Sequence, residues 1–138
     1  MPSKGSSYLI GHPELDADHD AMISIWRELE ASRTMETAKM VAVRLMNETS
    51  AHFAREEEFM AQCRFPELGR HRALHSEMIS SLRRVLLSPL MGSGKHEDFV
   101  LAVRSLMEKW ISVHLVAEDS KLAPYARSQS GRMALARR

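Results

Sequence analysis

The chain has 138 residues, 44% of them hydrophobic and 27% charged, which is enough for one domain with a substantial core. Its formal net charge of +1 provides no strong electrostatic attraction that would favour the binding of nucleic acid. The single cysteine, Cys63, excludes a disulfide within the chain and favours a reducing compartment. Neither a signal peptide nor a membrane-spanning run is recognisable, so we expect a cytoplasmic protein without a membrane span.

Apolar residues recur at helical spacing in four segments, which predicts four amphipathic helices joined by short turns. The predicted helices cover approximately residues 15–30, 36–62, 66–88 and 96–117. They predict an all-α fold, an antiparallel up-down four-helix bundle. The predicted domain limits are an N-terminal arm (1–14), the bundle (15–126) and a basic C-terminal tail (127–138).

Two pairs of potential metal ligands interrupt the apolar faces of the second and third predicted helices. His52 and Glu56 are four residues apart, and so are His71 and His75. On an α-helix this spacing puts both side chains on one face, one turn apart, so that they can reach a common point. Glu57 falls off this face, and we expect it to be solvated. The Pro-containing break between the pairs predicts that the two helices fold back, with four ligands facing a shared interior.

The first and fourth predicted helices add further candidates on their inner faces. His19 lies on the apolar stripe of the first helix, and His114 lies on that of the fourth. Asp119 follows His114 by five residues, which in an α-helix is a rise of about 7.5 Å and a rotation that leaves the side chains about 140° apart. At that spacing we expect the two to serve different metal ions, not one ligand position, particularly if the helix loosens near its end.

Each of these positions alone has an ordinary explanation, because a lone buried histidine is usually a hydrogen-bonded core residue. Together, however, five histidines and two carboxylates fall on the inner faces of four helices. Unpaired buried carboxylates are costly, and a divalent cation removes that cost by binding anionic oxygen and neutral imidazole together. Seven ligands are too many for one ion, so we predict two ions that share the carboxylates. Imidazole and carboxylate without thiolate favour iron, with manganese and zinc as alternatives. The candidate ligands are His19, His52, Glu56, His71, His75, His114 and Asp119.

The order and wording of these motifs resemble the hemerythrin family, in particular its single-domain bacterial members. The matching words are LDADHDAM around the first histidine, HFARE followed by EEFM, RFPE before HRALH, and HLVAED followed by KLAPY. The resemblance covers roughly residues 10–126, and all seven ligand positions of the family are filled.

The resemblance implies a non-heme di-iron centre (Fe2+/Fe3+) with a bridging oxo or hydroxo group that binds dioxygen. It implies that three histidines fill the coordination of one iron, whereas two histidines leave one position open on the other. The first set is His71, His75 and His114; the second is His19 and His52; the bridging carboxylates are Glu56 and Asp119. By matching position it also implies an apolar oxygen pocket, although such residues are equally ordinary core: Phe53, Trp110, Ile111 and Leu115.

The leading functional hypothesis is reversible dioxygen binding without turnover, for oxygen storage, delivery or sensing. A sensor usually carries its output domain in the same chain, and we expect no room for one in these 138 residues. The basic tail is nevertheless compatible with an unidentified protein partner. The alternative is a di-iron enzyme or redox sensor that handles peroxide or nitric oxide, or an iron donor. Five histidines to two carboxylates favour a binding site, because enzymatic di-iron bundles are typically richer in carboxylates.

Overall fold

The computed structural model describes residues 9–87 and 95–128, and within these ranges every regular element is helical. Helix α1 covers Pro13–Ala31, α2 covers Met35–Gln62, α3 covers Leu68–Leu87 and α4 covers His96–Lys109. The chain then continues as a π-helix, Trp110–Glu118 (the π segment), a 3-10 turn, Asp119–Leu122, and a last helical stretch at 123–128. The predicted all-α four-helix bundle is therefore confirmed. Most of the predicted arm and tail lies outside the described residues.

The start of α1 is set by a cap that the sequence pattern did not single out. Helix α1 begins two residues before the expected Leu15, because the Nδ1 atom of His12 accepts a hydrogen bond from the N–H of Leu15 at 3.3 Å. Pro13 follows as the first helical residue, where its missing N–H costs nothing. The Asp16 carboxylate accepts hydrogen bonds from the N–H groups of Ile10 and Gly11, which ties the preceding segment to the helix.

The turn between α2 and α3 brings the two ligand pairs back to back. Arg64 adopts a left-handed backbone with φ 57°, and the N–H of Phe65 donates to the carbonyl of Met60 at 2.9 Å. The N–H of Arg64 donates to the carbonyl of Ala61 at 3.3 Å. This pair of bonds is the Schellman arrangement that satisfies the last carbonyls of a helix. It reverses the chain sharply, so that α3 packs antiparallel on α2.

The apolar core is divided into two clusters, and the polar residues lie between them. On α1, Leu15 belongs to one cluster and Met22 to the other, with His19 between. At the end of the chain, Leu115 and Leu122 likewise belong to different clusters, with Asp119 between. The centre of the bundle is therefore a polar layer that is closed at both ends by packed apolar side chains. In the described part of the chain no helix has the length and apolar composition that a membrane crossing requires.

Candidate metal centre

The structure brings all seven predicted ligands together inside the bundle. They form two groups that share Glu56 and Asp119, and within each group the potential ligand atoms lie within 4.8 Å of one another. The first group adds His71, His75 and His114, and the second adds His19 and His52. His114 is 8% exposed, whereas the other six residues are at most 2% exposed. The bundle therefore holds a compact set of nitrogen and oxygen donors almost out of contact with solvent.

In the first group, one oxygen of each carboxylate faces the imidazole nitrogens. Glu56 Oε1 lies 2.7 Å from the Nε2 of His71 and 3.0 Å from the Nε2 of His75. Asp119 Oδ1 lies 3.0 Å from the Nε2 of His71 and 3.0 Å from the Nε2 of His114. Five potential ligand atoms therefore face a common point. These side chains would need fewer such atoms there if they only formed hydrogen bonds with one another.

The other oxygen of each carboxylate faces the second group. Glu56 Oε2 lies 3.1 Å from the Nε2 of His52, and Asp119 Oδ2 lies 3.3 Å from the Nε2 of His19. The two Nε2 atoms of His19 and His52 are themselves 3.1 Å apart. Each carboxylate thus presents one oxygen to each group, which is the arrangement in which a carboxylate bridges two cations.

The π segment explains how His114 and Asp119 come to face the same point. The N–H of Asp119 donates to the carbonyl of His114, five residues earlier, as in a π-helix. This wider turn stacks residues five apart on one face, and Asp119 Oδ1 lies 3.0 Å from His114 Nε2. The expectation that these two residues cannot share a ligand position was therefore wrong, because it assumed α-helical rotation up to Asp119.

Two further carboxylates orient the histidines from outside, and the sequence analysis missed both roles. The Oδ2 atom of Asp18 lies 3.0 Å from the Nδ1 of His52, and the Oε2 atom of Glu57 lies 2.9 Å from the Nδ1 of His75. An imidazole that donates its Nδ1–H to a carboxylate turns its Nε2 lone pair towards the centre. Glu57 is therefore not simply solvated. Its partner lies on another helix, so no spacing within α2 could have revealed the contact.

Arginine side chains hold these outer carboxylates in place. The Nε and Nη2 atoms of Arg55 donate to the two oxygens of Asp18 at 2.8 Å and 2.6 Å. The Nε atom of Arg72 donates to Glu57 at 3.0 Å. Burial opposes the ionisation of Asp18, but the hydrogen bonds with His52 and Arg55 outweigh it and lower the pKa of Asp18 to about 2. The outer carboxylate of His52 is thus ionised over the whole physiological range.

A second missed contact fixes the π segment to α3. The Nη1 and Nη2 atoms of Arg70 donate to the two oxygens of Glu118 at 2.6 Å and 2.8 Å. Lys121 also donates to Glu118, at 3.3 Å. The hydrogen bonds from Arg70, opposed by partial burial and assisted by Lys121, lower the pKa of Glu118 to about 2. In this bidentate ion pair two guanidinium N–H groups face two carboxylate oxygens. It holds Glu118, the residue directly before Asp119, in place.

The pKa shifts of the candidate ligands indicate that positive charge stabilises the buried carboxylates. Burial favours the neutral form of Glu56, but its contacts with four imidazoles hold the pKa of Glu56 well below its usual range. Burial also disfavours charge on His52 and His71, yet carboxylate contacts raise the pKa of each to about 9. Protons on imidazole therefore balance the buried carboxylates, and a cation would do the same without them.

The donor set fits a pair of divalent cations. Glu56 Oε2 and both carboxylate oxygens of Asp119 are buried, and their contacts of 3.0–3.3 Å with imidazole nitrogens do not have the geometry of hydrogen bonds. Buried carboxylate oxygens are rarely left in this state unless they serve another partner. Imidazole nitrogen with carboxylate oxygen and no thiolate is a donor set suited to iron. The residues present could hold two such ions, one in each group.

The four predicted pocket residues are all buried, and two of them contact ligand imidazoles. Phe53 stacks on His75, with ring centroids 3.8 Å apart and planes at 3°. Trp110 approaches His19 edge-on at a centroid distance of 6.0 Å. Ile111 and Leu115 follow Trp110 in the π segment and are at most 4% exposed. Aromatic side chains thus pack directly against two of the candidate ligands, His75 and His19.

A four-helix bundle around a buried cluster of histidines and carboxylates that could hold metal ions is the class of protein that the fold and site define. The family model described as "Hemerythrin HHE cation binding domain" matches residues 11–126. The chain therefore belongs to the hemerythrin family.

Similar proteins carry hemerythrin names. A bacteriohemerythrin of Stenotrophomonas maltophilia is 25% identical over 128 residues, which are 91% of this chain and 81% of the relative. A myohemerythrin of Riftia pachyptila is 27% identical over 115 residues, 83% of this chain and 85% of the relative. A bacteriohemerythrin of Campylobacter jejuni is 24% identical over 116 residues, 80% of this chain and 84% of the relative.

Proposed function

We propose that this chain binds two iron ions at the centre and uses them to bind dioxygen reversibly. The observation that supports this proposal best is the pair of ligand groups that share both carboxylates. The groups are unequal, because one has three histidines and the other has two. The ion beside His19 and His52 would therefore keep a coordination position for an external ligand. When bound, the ferrous pair would supply the electrons that dioxygen takes up and gives back.

The surrounding residues would favour binding over turnover. Phe53 and Trp110 cover the imidazoles and keep bulk water away. Asp18 and Glu57 fix the imidazole rings, so that the donor atoms need no rearrangement when a ligand arrives. The pKa of each shared carboxylate, Glu56 and Asp119, is lowered by contacts with the imidazoles, so both are ionised and would hold the two ions. We propose a binding protein, for oxygen storage, delivery or sensing, in a reducing cytoplasm.

The direct test combines metal analysis with spectroscopy. The protein is reconstituted with ferrous iron under anaerobic conditions, iron is counted per chain, and absorption spectra are recorded on admitting and removing air. We expect two irons and a visible charge-transfer band that appears with air and disappears without it. Irreversible oxidation with two irons would favour the alternative, an enzyme or redox sensor for peroxide or nitric oxide. Little or no iron would overturn the proposal.

Ligand substitutions test the assignment of the residues. His114→Ala removes a ligand from the three-histidine group, and Glu56→Ala removes a shared carboxylate. We expect each variant to lose binuclear iron, because the remaining donors cannot hold both ions in position. His96→Ala provides the matched control, because half-buried His96 lies outside both ligand groups and its Nε2 lies 2.9 Å from the hydroxyl of Ser32. If both ligand variants keep two irons per chain, the assignment is wrong.

A further inference from the structure

A surface cleft lies between α3 and the π segment and reaches the residues around the metal centre. Its volume is about 180 Å³, and its walls combine apolar side chains, among them Met78, Leu106 and Val113, with the charged side chains of Arg70, Glu77, Lys109 and Glu118. Val113 is 52% exposed, so the cleft opens directly at the protein surface. Its floor includes His114, the most exposed of the seven candidate ligands. The cleft is therefore where the buried centre comes nearest to solvent among the described residues.

A second, internal cavity lies behind the cleft. Its volume is about 10 Å³, roughly the space that one water-sized molecule needs. Met78, Leu106 and Trp110 line both the cleft and this cavity, so the two are separated only by shared side chains. Met78 and Leu106 are only partly buried. A methionine side chain has three rotatable bonds, so a change of rotamer at Met78 could connect the two spaces.

The internal cavity adjoins the two-histidine group, and through Met78, which follows His75 by three residues on α3, it also adjoins the three-histidine group. Its walls include Met22 and Thr49. Met22 follows His19 by three residues on α1, and Thr49 precedes His52 by three residues on α2. Residues three apart on a helix are neighbours on one face. A molecule in this cavity is thus next to the side of the centre where an external ligand would be received.

Two buried polar groups at the internal cavity also lack partners. The hydroxyl of Thr49 and the indole N–H of Trp110 make no hydrogen bond among the described residues, although their side chains are 3% and 1% exposed. Such groups in a native fold call for an explanation, and a small bound molecule is a common one. The cavity can therefore hold one small molecule against apolar walls with two hydrogen-bond donors.

We propose that the cleft and the internal cavity form the access route by which a small neutral molecule reaches the centre. Met78 and Leu106 form the gate, and Thr49 and Trp110 form the inner station. For dioxygen as the ligand, the inference rests on the proposed function. The groove between α2 and α3, whose lining includes Phe53 and the candidate ligand His75, is the competing route, but it shares no lining residue with the internal cavity. The internal cavity is lined mainly by apolar side chains, and an apolar gas partitions into such a space.

The first test uses xenon gas as a probe, because it does not depend on iron chemistry. Crystals of the metal-loaded protein are pressurised with xenon, and the bound atoms are located by their anomalous scattering. Xenon in the cleft or the internal cavity supports the proposal, since dry apolar cavities bind this gas. Xenon found only in the α2–α3 groove, or at no site in the bundle, overturns it. This result stands even if reversible oxygen binding fails.

The second test measures the rate and the equilibrium of oxygen binding in gate variants. Met78→Trp, or Leu106→Trp if the first does not fold, fills the cleft from a partly exposed position. We expect both the association and dissociation rates to fall about tenfold with unchanged affinity, because a gate alters the path and not its end states. Ile79→Trp is the matched control, since Ile79 is the next residue on α3 and lines the competing groove. An unchanged rate in both gate variants, or a slower rate only in the control, overturns the proposal.

Discussion

The N–H of Asp119 donates a hydrogen bond to the carbonyl of His114, five residues earlier and not four. This hydrogen bond spans one residue more than in an α-helix. The His114 imidazole and the Asp119 carboxylate, which an α-helix would point apart, therefore face one another at 3.0 Å. The donor set of the first group is complete only because the helix widens there. The register of the π segment is thus as important to the centre as the identity of its ligands.

Removing one residue from the π segment should abolish the binuclear centre. Deletion of exposed Ser112 would let the segment return to α-helical geometry, in which His114 and Asp119 would lie about 140° apart around the helix axis. We expect at most one metal ion per chain by elemental analysis, with helix content unchanged by circular dichroism. The matched control, Ser112→Ala, keeps the register and should keep two ions. Two ions in the deletion variant would show that the register does not matter.

The outer carboxylate of His75 should tune metal affinity without being a ligand. Glu57→Ala removes the acceptor at 2.9 Å from His75 Nδ1 and should weaken metal binding about 10- to 100-fold. Affinity is measured by competition with a chelator. Its neighbour Glu58, which accepts a surface hydrogen bond from Gln62 at 3.5 Å, serves as the control, and Glu58→Ala should leave affinity unchanged. Equal losses in both variants would point to a general effect of negative charge.

The Arg70–Glu118 pair should stabilise the fold in a pH-dependent way. The pKa of Glu118 is lowered from 4.5 to about 2, so the stabilisation is complete above pH 4.5 and is lost as the pH falls towards 2. A double-mutant cycle of Arg70→Met and Glu118→Gln, followed by urea unfolding, measures the coupling free energy. We expect favourable coupling at pH 7 that shrinks below pH 4.5. A coupling that is constant across this range would exclude Glu118 ionisation as its source.

The turn after α2 offers a stabilising substitution away from the centre. Arg64 adopts φ 57°, a conformation that costs a residue with a Cβ atom about 1 kcal/mol and costs glycine little. We expect Arg64→Gly to raise the free energy of unfolding by up to about 1 kcal/mol, with metal content unchanged. Arg64→Ala, which removes the side chain and keeps the Cβ atom, should give no such gain. A gain of equal size in the alanine variant would assign the effect to charge.

Each ligand pair on α2 and α3 was predictable because its two members lie four residues apart in the same helix. His52 and Glu56 share a face whatever the other helices do, and so do His71 and His75. The meeting of His114 with Asp119 was not predictable from α-helical geometry, since the π segment has no residue type that marks it. The contacts of Asp18 and Glu118 join different helices, so they depend on packing and not on periodicity. The cleft at Met78 arises in the same way.

The two ligands furthest apart along the chain, His19 and Asp119, meet at 3.3 Å in the middle of the bundle. Neither group of ligands belongs to one helical hairpin, because each combines side chains from at least three segments of the chain. An ion bound there could leave only when the helices separate, so its escape would be timed by the opening of the whole bundle. The rate at which a strong chelator removes metal from the loaded protein would then report the rate of that opening.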